Sequence, residues 1–171
     1  MVERLISSVQ NQQIKELKKL FTRKGRKKAG QYLLEGPHLV EMAVKADAEI
    51  QMIYYVPESS HQNVMQVQAL KADLPLTQVT PEVAKALSQT DHHQDIFAVA
   101  SIPQAKSLDI DHLSKGLLIL DQVQDPGNLG TLIRTADAFG YQDVLLGLGT
   151  VDLYNDKVLR SMQGSHFAVN T

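Results

Sequence analysis

Short apolar runs that suit β-strands alternate along this chain with segments whose apolar residues recur at helical spacing. This alternation predicts an α/β fold, because each helix can pack on the sheet that the neighbouring strands form. The predicted strands are residues 31–35, 50–56, 76–79, 96–102, 116–121, 143–147 and 167–169. The predicted helices are residues 11–24, 38–46, 60–70, 81–88, 128–140 and 155–163, and Gly25 is expected to end the first of them.

A polar stretch at residues 103–114 separates two groups of these elements and contains no sustained β pattern. We predict two domains, residues 1–102 and 115–171, joined by this linker. The second domain begins with the continuous apolar run 116–121, which is typical of a strand buried on both faces of a parallel sheet. A doubly wound domain needs about 100 residues or more to cover both faces of its sheet, so we expect that the chain stops inside its second domain.

Positive charge is concentrated at the start of the chain. Residues 1–30 contain nine of the 17 Lys and Arg residues but only Glu3 and Glu16 as acids, a balance of +7 that leaves −9 on the other 141 residues. Clustered cations bind phosphates, so the pattern favours a polyanion-binding segment, and a solvated helix face is the alternative. The candidate phosphate contacts are Lys18, Lys19, Arg23, Lys24, Arg26, Lys27 and Lys28.

Composition disfavours several classes of protein. The chain has no apolar run long enough to cross a bilayer and no secretory signal at its start, so we expect a cytoplasmic protein with no membrane partner. It has no cysteine, which excludes disulfides, cysteine nucleophiles and thiolate metal sites. The six histidines, including His92 and His93, lack the i, i+4 spacing and acidic partners of metal ligands, so we predict no metal site.

The segment 120–140 has the most unusual pattern. A predicted strand ends at Asp121, and Asp125-Pro126-Gly127 forms a turn. Asn128 is expected to cap the helix that follows, and Gly140 is expected to end it. The segment contains neither a G-x-G-x-x-G fingerprint nor a glycine-lysine-serine phosphate loop, which disfavours dinucleotide and nucleoside triphosphate enzymes.

The two sides of this predicted helix differ. One is an apolar stripe, and the other combines small residues with a single cation: Gly127, Gly130, Thr131, Arg134 and Ala138. A phosphate-bearing ligand or a partner helix could approach the backbone closely on that side. The alternative is a compact loop and helix in which Arg134 forms an ion pair with Asp121, Asp125 or Asp137.

This segment resembles motif 1 of the SpoU family of RNA ribose 2′-O-methyltransferases. The stretches that carry the resemblance are Asp125-Pro126-Gly127-Asn128-Leu129-Gly130, Arg134-Thr135-Ala136 and Phe139-Gly140. Residues 151–154, 157–160 and Gly164 are similar to the segment that follows motif 1, and residues 11–36 are similar to the family's N-terminal substrate-binding domain. Ser161-Met162-Gln163 departs from the family, which usually has small residues or serine there.

The resemblance implies a fold, a cofactor and a partner. The first domain would be a ribosomal-protein-like α/β/α sandwich that binds RNA, and the second the first part of a SPOUT α/β-knot methyltransferase domain that works as a homodimer. S-adenosylmethionine is bound in such enzymes by motifs 2 and 3, which this chain does not contain. We therefore expect no knot, no cofactor-binding residue and no catalysis in this chain alone.

The implied reaction is attack of a ribose 2′-hydroxyl of ribosomal or transfer RNA on the cofactor's methyl group. Arg134 matches the family's catalytic arginine. Because arginine is almost never deprotonated, we expect it to orient the ribose and stabilise developing charge. Asn128 matches the motif asparagine that would organise the catalytic loop and subunit interface. The alternative function is a non-catalytic RNA-binding module whose second unit only dimerises.

Overall fold

The computed structural model describes residues 5–104 and 116–171. The chain divides into two compact units, residues 1–102 and 103–171. Most of the predicted linker, residues 105–114, lies outside the described residues. No helix in the described part of the chain is long and apolar enough to cross a membrane.

The first unit is built around one five-stranded mixed sheet with strand order β1-β4-β3-β5-β2. Its elements are β1 (Leu5–Ile6), α1 (Gln12–Lys19), α2 (Arg23–Ala29), β2 (Gln31–Glu35), α3 (Pro37–Lys45), β3 (Ile50–Tyr55), α4 (Pro57–Leu70), β4 (Leu76–Val79), α5 (Pro81–Leu87) and β5 (Ile96–Ser101). β4 pairs in parallel with β1 and β3, whereas β5 is antiparallel to β3 and β2. The four strands predicted for this unit are confirmed, and β1 is a strand that the sequence did not predict.

Helices α1 and α5 pack on the sheet around one apolar core. Ile14 and Leu17 of α1 lie there with Leu87 of α5 and Tyr54 of β3. Successive side chains of a strand point to opposite faces, so Ile53 points away from this core. Helices α3 and α4 pack against each other and against the sheet. The predicted α/β/α sandwich is confirmed.

The cationic segment forms two helices, and the prediction that Gly25 ends a single helix is wrong. α1 ends at Lys19, and α2 starts at Arg23 and contains Gly25. Thr22 has extended backbone and caps α2, because its hydroxyl accepts a hydrogen bond from the Gly25 amide at 3.1 Å. A glycine inside a helix costs only about 1 kcal/mol relative to alanine, so a capped helix can contain it.

The first unit ends beside α2. Gly30 follows that helix in the left-handed conformation, with φ of 64°. Its carbonyl accepts a hydrogen bond from the Ile102 amide at 2.7 Å. Residue 102, where the first unit ends, is therefore bonded to the residue that ends α2.

Residues 116–171 of the second unit form two parallel strands, two α-helices and a 3-10 helix. Its elements are β6 (Leu117–Leu120), α6 (Pro126–Ala138), β7 (Asp143–Leu146), α7 (Asp156–Met162) and a 3-10 helix (Ser165–Phe167). β6 pairs with β7 in register, with Leu118 opposite Val144. The strand predicted at 167–169 is wrong, because the chain forms the 3-10 helix and then a single bridge between Asp143 and Asn170.

The sheet of the second unit is buried on one face only within the described residues. Leu120 and Val144 are 6% and 3% exposed, whereas Ile119 and Leu145 are 59% and 44% exposed. The prediction that 116–121 is buried on both faces is therefore not met here. The parallel pairing predicted for this strand is confirmed.

Candidate functional site

The first candidate site is a cationic surface on α1 and α2. Six of the seven predicted phosphate contacts are exposed, and they define what we call the α1–α2 surface: Lys18, Lys19, Arg23, Lys24, Lys27 and Lys28. Ile14 and Leu17, on the other side of α1, are buried. The amphipathic pattern therefore directs the positive charge outward.

Arg26 is placed differently from the other six cations. It is 4% exposed, and its Nη1 donates a hydrogen bond to the Leu20 carbonyl at 2.7 Å. The prediction of Arg26 as a direct phosphate contact is corrected accordingly, since a buried guanidinium bonded to backbone cannot also face a ligand. Sequence spacing could not reveal this, because the contact spans the turn between two helices.

Glu16 places a negative charge within the α1–α2 surface. Lys19 Nζ donates to both Glu16 carboxylate oxygens, at 2.6 and 2.7 Å, and Gln12 Nε2 donates to one of them at 2.8 Å. The hydrogen bond from Lys19 holds the pKa of Glu16 below its usual value, and the charge of Lys28 adds to the effect. Any phosphate that binds Lys19 must therefore compete with Glu16.

The second candidate site is the start of α6, where the sequence-based assignment of the cap is wrong. Asp125, not Asn128, is the N-cap, and its Oδ1 accepts from the Asn128 amide at 2.7 Å. Pro126 occupies the first helical position, which needs no amide donor. Gly140 ends the helix as predicted, with φ of 76° in the residue after the C-cap.

Asn128 and Arg134 are both exposed on α6, but the helix does not bring them together. Six residues of α-helix separate two side chains by about 9 Å along the axis and turn them to different sides. An open concavity lies beside Asn128 and does not include Arg134. Its lining residues, none of them buried, are Val123, Gln124, Asp125, Asn128, Thr131 and Leu132.

Arg134 forms no ion pair within the described residues, so the alternative of a structural ion pair is not supported. Asp125 caps α6, and Asp121 lies against Gly147 instead. The Arg134 guanidinium therefore stays exposed and able to bind an anion from outside the described part of the chain.

Helix α7 lies against Gly127 and Gly130 of α6. A Cβ built on Gly130 would stand 2.4 Å from the Cβ of Ser161, and Ser161 Oγ donates to the Gly127 carbonyl at 3.0 Å. The small residues suggested that either a ligand or a helix could come close to this backbone, and at Gly127 and Gly130 it is a helix of the same chain. We call this contact the α6–α7 crossing.

The crossing also explains part of the Ser161-Met162-Gln163-Gly164 segment, whose role the sequence left open. Ser161 provides the hydroxyl at the crossing, and Met162 is fully buried. Gln163 and Gly164 adopt positive φ, 52° and 95°, and they turn the chain from α7 into the 3-10 helix.

Two half-buried titratable groups of the second unit were not predicted. Burial lowers the pKa of His166 to about 4. Burial and the charge of Asp152 raise the pKa of Tyr154 to about 12. In residues 5–104 and 116–171, no group of three or more His, Asp or Glu side chains is arranged to hold a metal ion.

Two family models match the chain in succession. Residues 11–98 match the MRM3-like substrate binding domain, and residues 115–171 match the SpoU rRNA Methylase family.

Curated proteins and solved structures are similar over most of the chain. The 23S rRNA (guanosine(2553)-2′-O)-methyltransferase RlmP of Bacillus subtilis is 40% identical over 164 residues, which are 96% of this chain and 62% of that protein. The mitochondrial rRNA methyltransferase 3B of Danio rerio is 38% identical over 168 residues, 90% of this chain and 36% of that protein. The crystal structure of an AdoMet-bound rRNA methyltransferase from Sinorhizobium meliloti superposes with a TM-score of 0.83 at 27% identity, over 97% of this chain and 62% of that one. The chain thus spans less than two thirds of each of them.

Proposed function

Since the chain belongs to the SpoU rRNA methylase family and carries an MRM3-like substrate-binding domain, we propose that it serves in S-adenosylmethionine-dependent methylation of a ribose 2′-hydroxyl of ribosomal RNA. The observation that carries this proposal is the 40% identity to a 23S rRNA 2′-O-methyltransferase over 96% of the chain. The cofactor assignment is supported by the similar AdoMet-bound structure.

The first unit binds the RNA, and the α1–α2 surface is its phosphate-binding part. The arrangement of charge in α2 supports this role. Arg23 and Lys24 lie in the first turn of α2, which contains no acidic residue. Cations at the positive end of a helix dipole destabilise the helix slightly, so an external anion is the natural partner of these two side chains.

The second unit contributes Arg134 to the reaction. A 2′-hydroxyl is a weak nucleophile near neutral pH, so the site has to align it and stabilise the charge that develops on its oxygen. The exposed guanidinium of Arg134 can hold the ribose oxygen and an adjacent phosphate at once, because its donors form a planar fork. The backbone amide of Asn128 closes the Asp125 cap, and its exposed side chain organises the catalytic loop and the subunit interface.

The concavity beside Asn128 does not fit the cofactor, because it is open and no buried polar side chain lines it to pair with a nucleoside. We therefore assign no cofactor ligands to this chain. When bound, S-adenosylmethionine supplies the electrophilic methyl group.

Three further assignments complete the proposal. The domains are residues 1–102 and 115–171 with the linker 103–114, which is supported by the positions of the two family matches. The complete enzyme is a homodimer, as the resemblance to its family implies. It acts in the cytoplasm, although the similar Danio rerio protein is mitochondrial.

The test is methyl transfer from tritiated S-adenosylmethionine to ribosomal RNA by the complete enzyme. We expect label in the RNA and one ribose linkage that resists alkaline hydrolysis, and we expect both to be lost in Arg134→Ala. Label on a base would contradict the ribose assignment. RNA binding without transfer would favour the non-catalytic module instead.

A further inference from the structure

Three features, which belong to Thr22, Gly25 and Arg26, hold the turn between α1 and α2 at residues 20–22. We call it the α1–α2 corner. Each feature acts on a backbone group at the end of α1 or the start of α2. None of them belongs to the exposed cations that define the α1–α2 surface.

Thr22 connects the two helices through a single hydroxyl. Its Oγ1 donates to the Lys19 carbonyl at 3.0 Å and accepts from the Gly25 amide at 3.1 Å. The last carbonyls and first amides of helices have no partner within the helix. One threonine hydroxyl satisfies a group of each kind, because it both donates and accepts.

Gly25 allows α2 to start directly against the end of α1. A Cβ built at Gly25 would lie 1.8 Å from the Lys19 carbonyl oxygen and 2.6 Å from its carbon. A backbone carbonyl cannot move aside in the way that the end of a flexible side chain can. Any other residue at this position therefore forces the two helices apart.

Arg26 adds a bond from α2 back to the corner. Its guanidinium is buried and donates to the Leu20 carbonyl, the C-cap residue of α1. A buried charge is stable only when its donors are satisfied, and a cation is favoured at the carboxyl end of a helix. Arg26 is thus a charged residue that bonds a backbone carbonyl of its own unit.

The corner lies between the two groups of exposed cations. Lys18 and Lys19 occupy the last turn of α1, and Arg23 and Lys24 occupy the first turn of α2. Like charges on two freely jointed helices would move apart. A corner fixed by Thr22 sets their separation before any ligand binds.

On this geometry, and resting on the proposed function, we infer that Thr22, Gly25 and Arg26 are positioning residues. They hold the cations of α1 and α2 in one fixed arrangement that several RNA phosphates contact together. Preorganisation lowers the cost of ordering side chains and backbone on binding. The number of phosphates bound at once is measurable, because the logarithm of the affinity falls with the logarithm of salt concentration by about 0.7 to 0.9 per phosphate contact.

The experiment measures binding of the 171-residue chain to a fluorescein-labelled ribosomal RNA hairpin at several KCl concentrations. Gly25→Ala changes no charge, yet we expect it to weaken binding about tenfold and to reduce the salt slope by at least one phosphate contact. Thr22→Val removes the hydroxyl and keeps the shape of the side chain, so it should act in the same direction. Thr22→Ser, the matched control, keeps the hydroxyl and should bind as the parent chain does.

Circular dichroism and thermal unfolding verify that each variant is folded. If Gly25→Ala does not fold, Thr22→Val carries the test, because it removes one hydroxyl only. A salt slope equal to that of the parent chain in the folded corner variants overturns the inference. The charge variant Lys24→Gln separates this outcome from failure of the proposed function. If it reduces the slope and the corner variants do not, RNA binding stands and the inference fails. If it has no effect either, the proposed RNA surface is itself wrong.

Discussion

The α1–α2 corner and the α6–α7 crossing are built alike but place their arginines differently. Each has a glycine without room for a Cβ, Gly25 and Gly130, and each has a hydroxyl bonded to a backbone carbonyl. In the corner, the guanidinium of Arg26 is part of the contact. At the crossing, Arg134 lies one turn beyond Gly130 and is exposed. An arginine inside such a contact therefore stabilises the fold, whereas an arginine just beyond it stays exposed.

The largest expected effect separates the two arginines. In the complete enzyme, Arg134→Lys keeps the charge and loses the planar fork, so we expect kcat to fall about 100-fold or more. RNA affinity should stay close to that of the parent because lysine keeps the positive charge, and the Tm should do so because Arg134 makes no ion pair within the described residues. Arg26→Met, in contrast, should lower the Tm, because it loses the hydrogen bond to the Leu20 carbonyl. A large drop in Tm for Arg134→Lys would remove the distinction between the two residues.

The next effect tests whether the α6–α7 crossing is as tight as the corner. Gly130→Ala places a Cβ 2.4 Å from that of Ser161, so we expect the second unit to lose about 1 to 3 kcal/mol of unfolding free energy. The double variant Gly130→Ala with Ser161→Gly removes the clash between the two Cβ atoms but loses the Ser161 hydrogen bond and places a glycine inside α7, so it should recover part of that loss. Urea unfolding measures both. Equal stabilities for the single and double variants would show that the two helices separate at little cost.

A smaller effect concerns acid, which should weaken the second unit and spare the corner. His166 lies on the 3-10 helix that contacts α6 and α7, and burial lowers its pKa from 6.5 to about 4. Between those values the unfolded chain binds a proton that the folded chain does not, so stability falls as the pH decreases from 6.5 to 4. Thermal unfolding from pH 7 to 4 should show a decrease in Tm that is smaller in His166→Phe. The same slope in both proteins would assign the acid effect to other groups.

The smallest effect concerns the charge inside the α1–α2 surface. Glu16→Gln removes the carboxylate that holds Lys19, so RNA should bind about two- to threefold more tightly, a small gain because exposed ion pairs are weak. The salt slope should also increase, because Lys19 becomes available to a phosphate. Glu58→Gln on α4, an exposed carboxylate on another helix, is the control. Equal gains in both variants would mean that net charge matters and the position of Glu16 does not.

The sequence was most informative where the pattern is local. The alternation of strands and helices predicted the α/β fold of the first unit, and β4 has the predicted bounds. Ile14 and Leu17 are buried as their spacing predicts. Such elements are determined by the side chains they contain.

The wrong predictions concern residues whose conformation or exposure depends on contacts outside their own helix or strand. Gly25 was predicted to end a helix, but it lies inside α2 because the Lys19 carbonyl leaves no room for a Cβ there. Arg26 was grouped with its exposed neighbours, but in the folded corner it bonds the Leu20 carbonyl. Asn128 and Asp125 are both good cap residues, and Pro126 was the available signal that the helix starts after Asp125. The exposure of Ile119 depends on what lies across the sheet, which its own segment does not encode.

The hydrogen bond between the Ile102 amide and the Gly30 carbonyl has a consequence for local opening of the first unit. The end of a domain usually frays at a small cost in free energy. Because this bond connects the residue after β5 to the residue that ends α2, fraying at either place breaks the same contact. Slow hydrogen exchange of the Ile102 amide would therefore report that the end of α2 is closed.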